Sequence, residues 1–191
     1  TASRNILILI NGRKINSIDI SGPDLGQIPV GAVERIEIIR GAGSVLYGDN
    51  AVWGVVNIIT KKGQGDLKGK VGAVYSSYDT LGEHIEISGA HKDLSYFFYS
   101  RYLDQKGYRA NSEELAKDFN MRVGYEFSPN LSTDLDMAWH KDDSGLPGGL
   151  LGSDLANLGR RASTNLEDYS SAKDRYIKLG LNAKPLIKDV Y

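Results

Sequence analysis

The sequence predicts a mainly β protein made of two unlike parts, and three observations support this expectation. Up to about residue 65, strand-forming segments are short and apolar throughout, which is typical of strands buried on both faces. From about residue 66, apolar and polar residues alternate over segments of about ten residues, which predicts strands with one apolar and one polar face. Short turns join several of these segments, so neighbouring strands are expected to pair antiparallel.

Composition excludes several classes of protein. The 191 residues carry 23 Lys and Arg against 24 Asp and Glu, a net charge of −1, which gives no reason to expect nucleic acid as a partner. The absence of cysteine excludes disulfides, thiolate zinc sites and cysteine nucleophiles.

No apolar run reaches the roughly 18 residues of a membrane-spanning helix, and residues 1–5 do not read as a signal peptide. Because the chain starts and stops in strand-like segments, we expect a piece of a longer protein.

In the first part, three short strands are expected, at residues 6–10, 36–39 and 55–59. Asn11-Gly12 closes the first of them. This dipeptide favours a type I′ hairpin turn, because both central residues of that turn need positive φ.

In the second part, alternation is clearest in residues 119–127, 131–139 and 177–183. The first two should form an antiparallel hairpin around Ser128-Pro129-Asn130. Weaker alternation predicts further strands at 71–78, 84–90 and 94–103.

The connections between these strands alternate between short and long. Tight turns are expected at Lys92-Asp93, at 128–130 and around Pro185, and long polar segments at 105–117 and 142–173. Strands of about ten alternating residues, joined by short turns at one end and long loops at the other, are typical of an outer-membrane β-barrel. Aromatic residues near the strand ends would suit interfacial girdles: Tyr75, Tyr78, Tyr99, Tyr102 and Trp139. A soluble antiparallel sandwich also alternates, but its strands average about five or six residues, so strand length favours the barrel.

The segments "INGRKIN" and "PDLGQIPVGAVERIEIIRGAGSVLYGDNAVWGVVNIITKKG" resemble the second half of the plug domain of TonB-dependent outer-membrane receptors. The resemblance covers about residues 6–63. It implies that residues 1–65 are the C-terminal half of a plug domain, a small mixed sheet inside the lumen of a 22-stranded barrel. Residues 66–191, with a "GLPGG" loop at 145–149, would then be the first strands and loops of that barrel. The TonB box, the first half of the plug and most barrel strands are expected to lie outside this chain.

Glycines in the plug-like segment fit a sheet that must turn within two or three residues in a confined space. Gly41, Gly43, Gly48 and Gly54 are expected to supply turn dihedrals and close backbone approach. Two positions depart from the family pattern. Ala42 stands where proline is usual, and Trp53 stands where glycine is usual, so its ring is expected against the plug core or the barrel wall.

The resemblance also implies two groups of site residues. An apex loop at 16–23 would face the substrate, with contacts from Ser17, Ile18, Asp19, Ile20 and Ser21, although an ordinary polar loop is equally compatible. A charge cluster would pair across the gap between plug and barrel and hold the plug in place: Glu34, Arg35, Glu37 and Arg40. Local ion pairing on a solvated face is the alternative for this cluster. Arg160, Arg161 and Lys173 in the long segment could attract an anionic chelate, offset by neighbouring acids.

No constellation for catalysis or metal binding is recognisable. His84, His91 and His140 lack partners at metal-ligand spacing, so structural or solvated roles are expected and no cofactor is predicted. The stretch "GAGSVLYGDN" lacks the Gly-Lys-Ser/Thr ending of a phosphate loop, and Ser44 lacks a nucleophile-elbow pattern. An enzyme is therefore not expected.

The function implied by the resemblance is uptake across the outer membrane. The complete receptor would bind a scarce nutrient, such as a ferric siderophore or cobalamin, and import it when the TonB energy-transducing complex moves the plug through a segment absent from this chain. Its other partners would be the nutrient chelate and outer-membrane lipid, with no nucleic acid. The alternative is a soluble all-β carbohydrate- or protein-binding module.

Overall fold

The computed structural model describes residues 6–16, 25–41 and 51–184, which fall into two compact units, Thr1–Lys62 and Gly63–Tyr191. The chain is mainly β, as expected. Among the described residues, no helix combines the length and the hydropathy needed to cross a bilayer.

The first unit contains a four-stranded mixed sheet in the order β2-β1-β4-β3. Its strands are β1 (Ile6–Ile10), β2 (Arg13–Lys14), β3 (Val33–Arg40) and β4 (Gly54–Thr60). β1 runs parallel to β4, whereas the β1–β2 and β3–β4 pairs are antiparallel. Short 3₁₀ turns at Leu25–Gln27 and Val30–Ala32 lead into β3. The core consists of Leu7, Leu9, Ala51 and Val55, so the apolar runs of β1 and β4 meet in its centre.

Four residues with positive φ in this unit agree with the sequence. Asn11 and Gly12 have φ values of 48° and 80° and join β1 to β2, as a type I′ turn requires. Gly54 has a φ of 146°, and a Cβ there would lie 2.6 Å from the carbonyl oxygen of Ile39. A side chain at position 54 would therefore separate β3 from β4. Gly41 also has positive φ, while Ala42, Gly43 and Gly48 lie outside the described residues.

One expectation for this unit was wrong. β3 is not buried on both faces: Ile36 and Ile38 are 57% and 64% exposed, and the strand lies at one edge of the sheet, where it pairs only with β4. Trp53 is 56% exposed within this chain, so the plug core does not cover its ring, and contact with the barrel wall stays a prediction. Apolar composition predicted the strand correctly, but it does not specify where in the sheet that strand lies.

The second unit contains a six-stranded sheet in the order β10-β9-β8-β7-β6-β5, with every neighbouring pair antiparallel. Its strands are β5 (Lys68–Ser76), β6 (Thr80–His91), β7 (Leu94–Gln105), β8 (Glu114–Ser128), β9 (Leu131–Gly145) and β10 (Tyr169–Ala183). Each strand pairs with the next one in sequence, so the unit is a meander of hairpins. The expected hairpin of residues 119–127 and 131–139 is confirmed, with Met121 opposite Met137.

The connections differ from the expectation in length. β6 and β7 join at Lys92-Asp93 and β8 and β9 at Pro129-Asn130, as predicted. The two long loops are shorter than predicted, at 106–113 and 146–168, because β8, β9 and β10 continue through residues whose charge suggested a loop. The second loop also contains an unexpected helix, α1 (Gly152–Leu158). The turn predicted at Pro185 lies outside the described residues.

The two faces of the six-stranded sheet have opposite character. One face, here the apolar face, carries exposed residues such as Ile177, Leu179 and Leu181, which are 70%, 74% and 71% exposed. The other, the polar face, carries buried charged residues, including Asp118 at 2% and His140 at 3% exposure. A soluble sheet shows the reverse arrangement, with its apolar face buried against a core.

Candidate functional site

The charge cluster of β3 forms around Arg35. Its guanidinium lies 3.2 Å from a carboxylate oxygen of Glu34 and 2.8 Å from one of Glu37. A β-bulge between Val33 and Arg35 shifts the register beside Glu34. Such bulges redirect a side chain, and here the Glu34 carboxylate meets the neighbouring guanidinium. Local pairing on an exposed strand is therefore present for Glu34, Arg35 and Glu37.

Asn57 of β4 extends this cluster across the sheet. Its amide nitrogen donates to Glu37 Oε2 at 3.3 Å, and its amide oxygen accepts from the backbone of Gly12 at 3.2 Å. One side chain thus links the charge cluster to the β1–β2 turn. Arg40 lies exposed at the far end of β3, opposite Gly54. Pairing between the cluster and barrel residues stays a prediction.

Two asparagine side chains hold the strands that lead to the predicted ligand loop. Asn16 accepts from the backbone N–H of Ile8 at 2.7 Å and donates to the carbonyl of Ile6 at 2.9 Å, which continues the pairing along the edge of β1. Asn11 accepts from the backbone of Thr60 at 2.9 Å and donates to its hydroxyl at 2.8 Å. The proposed ligand residues, Ser17 to Ser21, follow Asn16 directly but lie outside the described residues.

In the second unit, Arg109 joins the two long loops. Its guanidinium donates to the carbonyls of Pro147, Gly148 and Ala162, at 3.1, 2.6 and 2.9 Å. Loops carry backbone carbonyls that no strand ladder satisfies, and a planar fork with five donors suits several of them at once. Arg109 therefore fixes loop 146–168 against loop 106–113.

Asn111 adds a second link between the same loops. Its amide nitrogen lies 2.7 Å from the carbonyl of Asn165, 2.8 Å from that of Asp168 and 3.3 Å from that of Leu146. The residue has positive φ, at 55°, a conformation that asparagine tolerates better than most side chains. Sequence analysis missed both Arg109 and Asn111, since their partners lie 35 to 57 residues away.

An exposed aromatic pair lies at the same end of the sheet. Tyr78 and Tyr108 meet edge to face with ring centroids 5.5 Å apart. The guanidinium of Arg161 lies 6.0 and 5.4 Å from the two ring centroids, within cation–π range. Three connections thus converge at this end: the β5–β6 turn and both long loops. Arg161, which the sequence suggested as an anion contact, lies against aromatic rings, and both Arg161 and Arg160 are exposed.

A buried polar row crosses the polar face of β7, β8 and β9. The Asp118 side chain, 1% exposed, accepts from Arg101 Nε at 2.7 Å and lies 2.8 Å from His140 Nδ1. The three residues face one another directly in the strand register. Spacing along the sequence did not predict this carboxylate partner of His140, because it is on the neighbouring strand, 22 residues away.

The other histidines have different surroundings, and metal ligation has no support. His84 stacks on Tyr99 with ring centroids 6.1 Å apart, and His91 is exposed at the end of β6. Within residues 6–16, 25–41 and 51–184, no group of three or more His, Cys, Asp or Glu side chains could hold a metal ion.

The chain thus contains a small mixed sheet and a second sheet with one exposed apolar face and one polar face. Comparisons with known proteins show where this combination of sheets occurs. Residues 1–55 match the family model of the TonB-dependent receptor plug domain. The chain is 31% identical over 189 residues to the vitamin B12 transporter BtuB of Vibrio vulnificus, in an alignment that covers 92% of this chain. It is 45% identical over 73 residues, 38% of the chain, to BtuB of Photobacterium profundum.

Solved structures show the same fold. The unliganded ferric citrate transporter FecA matches 95% of this chain with a TM-score of 0.78 at 21% identity, and the chain covers 29% of that structure. The ferripyoverdine receptor of the Pseudomonas aeruginosa outer membrane, bound to ferripyoverdine, matches 92% of the chain with a TM-score of 0.68 at 15% identity, over 25% of its own length.

The chain belongs to the TonB-dependent outer-membrane receptors, which confirms the resemblance. It spans 30% of the V. vulnificus transporter and 12% of the P. profundum one. Members of this family are receptors and transporters rather than enzymes, and they are located in the outer membrane.

Proposed function

We propose that this chain is part of a receptor that binds a scarce nutrient at the cell surface and imports it with energy supplied by TonB. The observation that carries the proposal is the succession of a plug-family sheet and a sheet with an exposed apolar face, in a chain 31% identical over 189 residues to a vitamin B12 transporter. A lipid-facing apolar surface and a polar lumen surface are what a transmembrane barrel requires.

In this proposal, residues 1–65 form the C-terminal half of the plug and residues 66–191 form leading barrel strands. Six antiparallel strands leave two open edges, β5 and β10, within the described sheet. Lipid cannot satisfy the backbone groups of open edges. Further strands would therefore be needed to close the 22-stranded barrel expected for this class.

The mechanism involves work on the plug rather than a chemical reaction. A barrel this wide would leak unless it were filled, so the ligand can pass only if the plug moves. TonB would supply the force through a segment outside this chain. Glu34, Arg35, Glu37 and Arg40 would help to retain the plug between transport events. Ser17, Ile18, Asp19, Ile20 and Ser21 would contact the ligand at the plug apex.

Cobalamin is the first nutrient to test, and a ferric siderophore is the second. The two relatives described above, at 31% and 45% identity, are vitamin B12 transporters. The siderophore and ferric citrate receptors described here or matched beside them are at most 24% identical, which supports the fold alone.

The test is uptake of labelled cyanocobalamin and ferric citrate by cells that lack their own receptors and express the full-length protein. We expect saturable uptake of one nutrient in cells with TonB and none in otherwise identical cells without TonB. Equal uptake in both strains would contradict energy coupling. Binding of neither nutrient would contradict the proposed ligand class.

The alternative, a soluble all-β binding module, is poorly supported by the burial pattern. Such a module would bury its apolar face, yet the apolar face of β10 is more than two-thirds exposed at Ile177, Leu179 and Leu181. Exposed apolar surface of this extent marks a membrane or protein contact. A full-length protein that remained monomeric in buffer without detergent would favour the soluble module.

A further inference from the structure

Three lysines lie side by side on the apolar face of the six-stranded sheet. Lys117 of β8 is directly opposite Lys141 of β9, and Lys141 is directly opposite Lys173 of β10. Residues in such positions have Cβ atoms roughly 4.5–5.5 Å apart, and like charges placed there destabilise a sheet. The row therefore needs a counter-charge.

The protein itself supplies only part of that counter-charge. Lys141 pairs with Asp143, which also accepts from the hydroxyl of Ser171 at 2.6 Å. Lys117 lies over the ring of Tyr102, 5.6 Å from its centroid. One position further along the same face, Arg175 adds a fourth cation opposite Trp139. The same face also carries Asp104 on β7 and Glu83 on β6, but both strands are separated from Lys173 and Arg175 of β10 by β8 and β9.

An apolar groove begins next to this row. It has a volume of about 470 Å³ and lies across β8, β9 and β10. Its side-chain lining on the apolar face comes from Phe119, Met137, Trp139, Arg175 and Ile177. The groove lies in the row adjacent to the lysines in the strand register, so a molecule with an anionic head and an apolar tail could occupy both at once.

The position of the lysine row matches the edge of a bilayer. From Trp139 to Leu131, the apolar face of β9 spans nine residues, which are eight steps of about 3.4 Å, or roughly 27 Å along the strand. With a strand tilt of about 45°, this corresponds to roughly 19 Å of membrane depth, close to the apolar band of about 25 Å in outer-membrane barrels. The lysines lie just beyond this band, on the side of the long loops, where lipid headgroups begin.

We infer that Lys117, Lys141, Lys173 and Arg175 bind the phosphate groups of a lipid whose acyl chain occupies the adjacent groove. Strands are about 4.8 Å apart, so the three lysines span roughly 10 Å, which suits a headgroup with two phosphates. A free anion would use the cations but not the groove, and an uncharged lipid would use the groove but not the cations. The inference depends on the outer-membrane location and not on which nutrient is transported.

The test is native mass spectrometry of the full-length receptor, delipidated in detergent and titrated with bisphosphorylated lipid A. The variant carries Lys117→Gln, Lys141→Gln and Lys173→Gln. The control carries Lys184→Gln, which removes an exposed lysine directly after the opposite end of β10. A basic residue near an anionic lipid surface contributes about fivefold in affinity, so the triple variant should bind roughly a hundredfold more weakly and the control should bind normally.

Three comparisons identify the bound chemistry. The dephosphorylated lipid should bind the wild type as weakly as the bisphosphorylated lipid binds the triple variant, and inorganic phosphate should not displace the lipid. Heat-modifiable gel mobility verifies that the triple variant is folded. Equal binding by wild type and triple variant, or equal binding of phosphorylated and dephosphorylated lipid, would overturn the inference. Retention of a protein chain instead of lipid, lost in the triple variant, would also overturn it.

Discussion

At the residue scale, the main feature is that single side chains form hydrogen bonds to backbone groups that have no backbone partner beside them. Asn16 extends the edge pairing of β1 with one donor and one acceptor. Arg109 and Asn111 do the same for loop carbonyls that have no strand beside them. These amide and guanidinium groups provide donors in fixed geometry, which a flexible lysine does not. Irregular backbone in both units is therefore held by a few polar residues.

Replacing Asp118 by alanine should strongly destabilise the barrel, because Arg101 and His140 would lose a buried carboxylate. Breaking a buried charged pair costs about 3–5 kcal/mol. The measurement is urea unfolding of the full-length receptor in lipid vesicles. Asp118→Asn should retain part of the stability, since its amide oxygen still accepts a hydrogen bond. Asp66→Ala, at an exposed position, is the control. An unchanged midpoint for Asp118→Ala would show that the polar row contributes little.

Neutralising Arg40 should affect retention of the plug more than ligand affinity. If Arg40 pairs with a barrel carboxylate in a filled lumen, Arg40→Gln leaves that carboxylate unpaired, at a cost of about 3–5 kcal/mol where the site is well buried. We expect near-normal nutrient affinity with raised leakage of small solutes in the full-length receptor. Lys14→Gln in the same sheet is the matched control. Lost affinity with unchanged leakage would make Arg40 a ligand contact instead.

At the element scale, the strands of the second unit are long, and one end of the sheet is more elaborate than the other. β8, β9 and β10 each have 15 residues, more than a bilayer requires. Their extensions carry loops 106–113 and 146–168, which lie at the same end as the 77–79 turn. At the opposite end, the strand connections that the structure describes are the short turns at Lys92-Asp93 and Pro129-Asn130. Two adjoining loops at one end provide a surface that the short turns do not.

The substitution Arg109→Lys should loosen the long loop without unfolding the strands. Lysine can replace one of the three guanidinium contacts, so about two hydrogen bonds of roughly 1 kcal/mol each are lost. Cleavage by chymotrypsin within 146–168 should become about ten to a hundred times faster. Arg160→Lys, in the same loop, serves as the control. If both variants are cleaved at the wild-type rate, the Arg109 contacts do not order the loop.

Strand parity predicts which connections face the outside of the cell. Loop 146–168 should be cut by protease added to intact cells that carry the full-length receptor. The Pro129-Asn130 turn should be protected there and become accessible only after the outer membrane is opened. Cleavage at Pro129 in intact cells would invert the proposed topology.

At the scale of the whole molecule, the distribution of polarity is inverted relative to a soluble protein. In the six-stranded sheet, apolar side chains such as Ile177 and Leu179 are exposed on one face, whereas Glu86, Asp118, Asp136 and His140 are buried on the other. This arrangement is stable where lipid replaces water at the apolar face. The same alternation thus serves insertion into a membrane rather than packing of a soluble core.

A charge on the apolar face should distinguish the membrane barrel from a soluble module. Leu179→Arg should destabilise the full-length receptor in vesicles by about 2–4 kcal/mol, the cost of arginine near the bilayer midplane. Asn182→Arg, on the polar face beside Asp134, should have a much smaller effect. The measurement is the urea unfolding midpoint. A soluble module makes the opposite prediction, since arginine at the exposed position 179 would be tolerated.

The sequence by itself determined the presence and order of the main strands and the change of pattern near residue 65, but not the ends of β8, β9 and β10 or the helix α1. Alternation of period two depends only on neighbouring residues, so the β8–β9 hairpin and the faces of its strands could be predicted. The Asn11-Gly12 turn could be predicted because positive φ restricts the residue types that fit. The plug-like segment was recognisable as a long pattern, and the family match at residues 1–55 agrees with it.

Only the tertiary structure decided which distant residues meet. The Asp118–His140 contact and the lysine row depend on strand register, and the Arg109 contacts depend on how two loops meet, with partners 22 to 53 positions apart. Composition suggested loops where Lys117 and Lys173 continue the strands, because charge reports contact with water or lipid headgroups and not backbone pairing. The exposure of β3 was likewise decided by its place at the sheet edge, a property of the assembled sheet and not of the segment.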